Sequence, residues 1–233
     1  MERASAALAG MDYLECEALC LQALALTRDQ QRWADYARIL MPLQESRRQR
    51  RIIAADGVIR LGTARLTTPT ENWLRHLQAA GCIVVTQPHT AEDAHVLEGE
   101  SKRLRQHVEV LFADNTSDAP MWRLRSFAGP SVSCVMPAPP EAWLEQWLAP
   151  GERPEPEPET DVELDPATTP ADWFIDATEA LGDAAMEHVT ASPGDPRRIE
   201  QLEQMLRVVT DHEILHQRLG DAARAMLNVA ENG

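Results

Sequence analysis

Apolar residues change their spacing along this chain, and each change marks a different kind of element. Over residues 4–56 they recur at helical intervals, with Leu14, Ala18, Leu21 and Ala25 on one side and Leu24 close by. After a break at Thr27-Arg-Asp-Gln, a second amphipathic stretch carries Trp33, Tyr36, Ala37, Ile39 and Leu40. The pattern predicts an antiparallel helical hairpin. From 57 to 136 short apolar runs alternate with helical ones. Val58-Ile-Arg-Leu is strand-like between Gly57 and Gly62, and Thr68-Pro69-Thr70-Glu71 has the form of a capping box opening a helix through Trp73, Leu74 and Leu77 to Gly81. Cys82-Ile-Val-Val-Thr reads as a buried parallel strand. Thr90-Ala-Glu-Asp93 caps a helix to about Gln106, and Val108–Ala113 is the next strand. Two extended segments, Trp122–Phe127 and Ser131–Met136, flank Ala128-Gly-Pro as an antiparallel pair at one edge. Strand, helix, strand, helix, strand implies βαβ units.

Beyond Pro137, a short helix is expected to carry Trp143, Leu144, Trp147 and Leu148 on one side, packed on the sheet. Alternating Pro and Glu from Gly151 to Pro166 cannot bury enough surface to offset chain entropy, so this stretch is expected to be an extended linker. Thr169-Pro-Ala-Asp172 then caps a helix to about Val189, with Trp173, Ala177, Ala180, Leu181 and Ala184 on one face. After Ser192-Pro-Gly-Asp-Pro196, helix resumes to about Val229 along a seam of Met205, Val208, His212, Leu215, Leu219, Ala222, Met226 and Val229. The expected class is therefore α/β: a helical hairpin (1–56) on a small, mainly parallel sheet of four or five strands (57–150), an acidic linker (151–169) and a C-terminal helical bundle (170–233).

The first hairpin resembles a tetratricopeptide repeat over about 34 residues: Leu14, Ala18 and Leu21 stand where that family places its first-helix residues, and Ala37 and Pro42 where its second helix ends. A repeat of that family implies a protein-binding helical array. Two positions depart from it, Glu17 where Leu is usual and Gln30 where Ala is usual, and no second copy follows.

Composition adds a setting. The 44% hydrophobic content and six Trp support a buried core. A single Lys among 22 basic residues suggests a bacterial origin. Net charge is −15, of which −13 lies in residues 151–233, so nucleic acid and anionic membrane are not expected partners. No apolar run approaches the ~20 residues needed to span a bilayer, and the N-terminal stretch is too acidic for a signal peptide. Cys16, Cys20, Cys82 and Cys134 lack CxxC spacing and read as reduced core residues of a cytoplasmic protein.

Three constellations carry candidate chemistry. The carboxyl ends of the parallel strands supply Thr63, Thr86 with His89 close by, and Asp114-Asn115-Thr116; such groups suit a sugar, a phosphate or a phosphoacceptor-type cation in the crevice of an open sheet. His212-Glu213-Ile-Leu-His216 matches the zinc-peptidase string HExxH, but no third ligand is placed by the sequence, and Thr210-Asp-His-Glu213 doubles as a helix cap. Arg47-Arg-Gln-Arg-Arg51 reads as a solvated helix end. No dinucleotide or P-loop fingerprint and no GxSxG occurs, so neither a cofactor nor a metal is expected. The pattern favours a non-catalytic interaction or regulatory protein that docks a protein partner, a second copy or itself through its C-terminal helices. A small-ligand or phosphate-binding α/β domain with enzymatic activity and a zinc-dependent hydrolase at His212, Glu213 and His216 are the alternatives.

Overall fold

The computed structural model describes residues 2–115, 119–144, 146–149, 151–152 and 168–232, the last five by backbone alone. Thr116, most of the Pro/Glu stretch and the Val229 side chain lie outside the described residues. Chain order is α1 (Glu2–Ala9), α2 (Tyr13–Asp29), α3 (Trp33–Ala55), β1 (Val58–Leu61), α4 (Trp73–His76), β2 (Ala80–Thr86), α5 (Ala91–Arg103), β3 (His107–Ala113), β4 (Met121–Arg125), β5 (Ser133–Pro137), α6 (Glu141–Leu144), α7 (Pro170–Met186), α8 (Pro196–Met205) and α9 (Glu213–Asn232). The fold is mixed α/β, with helices before and after a five-stranded sheet. It forms two compact units, Arg51–Leu181 and the two chain ends together, Met1–Arg50 with Gly182–Gly233.

In the first of these units the sheet runs in order β1-β2-β3-β4-β5. β1, β2 and β3 are parallel, and β4 and β5 form the antiparallel pair at one edge. Trp73, Leu74 and Leu77 around α4, with Ala94 and Leu97 of α5, cover the face that presents Ile83, Val85, Val108, Val110 and Phe112. The opposite face presents Ile59, Leu61, Val84 and Trp122, all fully buried, and Trp173 of α7 meets Trp122 edge-on at 5.7 Å. Both faces being covered is why β2 is an unbroken apolar run. Capping boxes form as the sequence predicts at Thr90–Asp93 and Thr169–Asp172.

Two local expectations give way here. The helix expected from Thr68 to Gly81 shrinks to a single 3-10 turn and α4; its start at Pro69 has no side-chain cap, and Gln78 turns into the left-handed region at φ 54°. β2 consequently begins at Ala80. Trp147 and Leu148 leave the short helix as well: Leu148 exchanges two backbone hydrogen bonds with Ile59, at 2.6 and 2.9 Å, and so covers the outer edge of β1.

The second unit is helical. Its core gathers Cys16, Cys20, Tyr36, Ile39 and Leu43 with Ile199, Leu202, Leu215 and Leu219. Cys16 Sγ donates to the carbonyl of Pro42, which sits inside α3. Tyr36 Oη donates to Glu203 at 2.7 Å, and the buried phenol and that carboxylate together push its pKa well up. The seam expected as one helix from Met205 to Val229 is broken, because residues 206–212 are not α-helical and α9 starts afresh at Glu213. Val209, rather than Val208, is therefore the buried valine of this stretch.

Candidate functional site

Parallel strands bring β1 and β2 to a common carboxyl end, and there Thr63 and Thr86 close on each other. The Thr86 N–H donates to Thr63 Oγ1 at 2.9 Å, while Thr86 Oγ1 accepts the N–H groups of Thr63 at 2.8 Å and Ala64 at 3.1 Å. Both threonines are fully buried, so their hydroxyls satisfy backbone donors where the β1–α4 loop leaves the sheet. Asp114 and Asn115 lie at the end of β3. Arg125 Nη1 donates to Asp114 at 2.7 Å and Gln87 Nε2 at 3.1 Å; the arginine first, then the amide, holds the carboxyl below its usual range. Asn115 Oδ1 accepts the Arg123 N–H, and its carbonyl accepts that of Gln87. His89 turns its ring edge-on to Trp73 at 4.9 Å, with its backbone N–H on the Thr86 carbonyl. Four of the five sequence-selected residues are thus linked across three strand ends, and His89 faces the apolar layer instead.

The HExxH string has a different geometry from a zinc site. His212 precedes α9 and offers its carbonyl to the His216 N–H at 3.2 Å. Its ring is wholly buried against Gly182, with Nε2 3.4 Å from Asp183. His216 Nε2 points instead at the Thr210 carbonyl, 3.0 Å away, and donating to it fixes the Nε2–H tautomer. Arg47 Nη1 donates to the same carbonyl at 2.8 Å. Burial first, then the Arg47 charge, push the His216 pKa down to about 4, so the ring is neutral. Among the described residues, no group of three His, Cys, Asp or Glu is placed to hold a metal ion.

Arg47 leads to residues that the sequence reading undervalued. Glu17 accepts from Arg47 Nε at 2.8 Å and from Arg50 Nη1, and all three side chains are 10% exposed or less. The run 47–51 is therefore not the solvated helix end expected of it: Arg47 and Arg50 are buried ion-pair partners, and Arg51 pairs with Glu179. The signal was present, since Glu17 is one of the two positions that depart from the tetratricopeptide pattern. Arg60 is also undervalued by the sequence reading. It is the only charge in β1 and is 2% exposed.

Fold and site define an α/β chain with a buried ionic centre in its helical unit and self-satisfied strand ends in its sheet unit. Comparison with known protein families, with curated proteins and with solved structures finds no match. Among the described residues, no helix is long and apolar enough to cross a membrane.

Proposed function

We propose that this chain is a non-catalytic interaction or regulatory protein, an adaptor that holds an extended segment of a partner protein against β5. The observation carrying this reading is an asymmetry between the two edges of the sheet. The β1 edge is bridged by Leu148. On β5, the bonds Ser126 N–H to Val132 and Ala138 N–H to Pro120 set the alternation of the ladder. They make Trp122–Met136 and Leu124–Cys134 the bonded pairs, so the N–H and C=O of Ser133 and Val135 are directed away from β4. The third outward carbonyl, that of Pro137, already accepts the Trp173 indole N–H at 3.2 Å. Val135, 58% exposed, and Met121, 46% exposed, lie on the open face of the same hairpin. Outward backbone groups beside exposed apolar side chains suit a partner strand added at the edge.

The setting we assign is the cytoplasm of a bacterium, on the arginine-over-lysine composition and on four free thiols, two of which burial pushes up to about 12 (Cys20) and about 11 (Cys134). The C-terminal helices offer a second docking element, where Ile214 is 44% exposed. Val135→Pro tests the reading, because the N–H it removes takes no part in the β4–β5 ladder. Captured from native cell extract, a specific partner of the wild-type chain is expected to fall at least tenfold on the variant, with the far-ultraviolet spectrum unchanged. Equal capture by both would refute edge docking. Loss of a self-associated form in sedimentation would identify the partner as a second copy.

A further inference from the structure

The β4–β5 hairpin is a basic stretch in an acidic chain. Residues 119–138 hold Arg123 and Arg125 and no acid, against a net charge of −15 for the whole. Arg123 is the cross-strand partner of Val135, and Arg125 that of Ser133, so the four side chains share the open face. Both arginines are exposed. Arg125 is committed to Asp114 at 2.7 Å, whereas Arg123 forms no ion pair among the described residues. Cys134 and Met136 turn to the opposite face, half-buried beside Leu124 and Trp122.

This distribution sets what an added strand must carry. Within β5 its hydrogen bonds can reach only Ser133 and Val135, because Pro137 has no N–H and its carbonyl is held by the Trp173 indole. Two bonded pairs need about three to five residues of partner. A partner residue bonded to Val135 puts its side chain on the open face, roughly 9.6 Å from Arg123 at two strand spacings. Extended arginine and glutamate side chains jointly span that gap alongside Val135, whereas a lysine there meets a like charge. The partner residues before and after it turn to the face of Cys134 and Met136, where apolar side chains continue the buried surface.

We propose that the segment held at β5 is acidic: a short extended stretch of a partner protein in which acidic and apolar residues alternate, with one carboxylate set against Arg123. The proposal rests on the edge-docking reading and names the chemistry of its partner.

The test uses the full chain and three blocked heptapeptides in which valine alternates with glutamate, glutamine or lysine, titrated by fluorescence polarisation at low salt. The glutamate peptide is expected to bind about two- to fivefold more tightly than the glutamine peptide, the yield of one exposed ion pair, and the lysine peptide most weakly. In about 0.5 M sodium chloride that preference should largely vanish. Arg123→Gln should bring the glutamate peptide down to the level of the neutral one, while Val135→Pro should weaken all three at least tenfold. A glutamate peptide bound no more tightly than the glutamine one, a lysine peptide bound tightest, or a preference that survives Arg123→Gln would overturn the acidic partner. If Val135→Pro still abolishes binding in any of those cases, edge docking stands without it. Binding of none of the three peptides, or binding indifferent to Val135→Pro, would remove edge docking and the acidic partner together.

Discussion

Replacing Glu17 by Ala removes the carboxylate that accepts from both Arg47 and Arg50. The side chains of the trio are 10%, 7% and 3% exposed, so water cannot take over the carboxylate's role without opening the helical unit. Breaking a buried ion pair by removing one partner costs about 3–5 kcal/mol, since the remaining charge keeps its desolvation penalty. Two buried guanidinium groups losing the same acceptor argue for the upper half of that range. Arg47 keeps its bond to the Thr210 carbonyl, which offsets part of the loss. The expected destabilisation is therefore about 4 kcal/mol, read from urea denaturation monitored by tryptophan fluorescence. Raising salt from 0.1 to 1 M should leave the difference nearly unchanged, because buried pairs are weakly screened. A companion variant, Glu17→Leu with Arg47→Leu and Arg50→Met, removes charge and counter-charge together and should recover stability to within about 1 kcal/mol of wild type. A loss below about 1 kcal/mol for Glu17→Ala would refute the reasoning, because it would mean the arginines reach water. A triple variant no better than the single one would show that shape, not charge, governs the site.

Two further outcomes follow from the same unit. His216 has a folded pKa of about 4 against 6.5 for the free side chain, so as pH falls below 6.5 the unfolded chain takes up a proton that the native chain refuses. Its contribution is full above pH 6.5 and is lost as pH falls towards 4, by about 3 kcal/mol in all. His216→Asn should show a correspondingly shallower loss of stability between pH 7 and pH 4.5, and an unchanged slope would sink the assignment. Gly182→Ala would place a methyl group 2.2 Å from the His212 ring, and a cost of about 2 kcal/mol or more is expected in thermal melts. Coupling with His212→Ala should abolish most of that cost, and strict additivity would rule out the contact.

The strands were legible because their signals are local. β2 and β3 are short apolar runs bounded by breakers, and the hairpin announces itself through Ala128-Gly-Pro. The boundaries near Trp73 and Trp147 were not, because tertiary contacts overrode the caps: a left-handed Gln78 ends α4 early, and Ile59 draws Leu148 into a bridge. That Thr63, Thr86, Asp114 and Asn115 stand at strand ends was legible, but which hydroxyl spends itself on which backbone amide depends on the register between Leu61 and Val84. Glu17 and Arg60 were visible as irregularities, a carboxylate in place of Leu and a cation in a strand. What they face, Arg47 and Arg50 for Glu17 and the Trp147 ring for Arg60, lies elsewhere in the chain, so the sequence alone could not say it.

The helical unit is built from the two ends of the chain, and this bears on the order of synthesis. Arg47 leaves a ribosome long before the histidine it meets, since 169 positions separate it from His216, and 167 separate Tyr36 from Glu203. At translation rates of 5–20 residues per second the N-terminal helices wait on the order of 10–30 s for that half. The α/β unit, lying between, is complete in the meantime. During that interval the apolar sides of α2 and α3 stand open to water. A chaperone's attention, or a nascent-chain protease's, would fall there first.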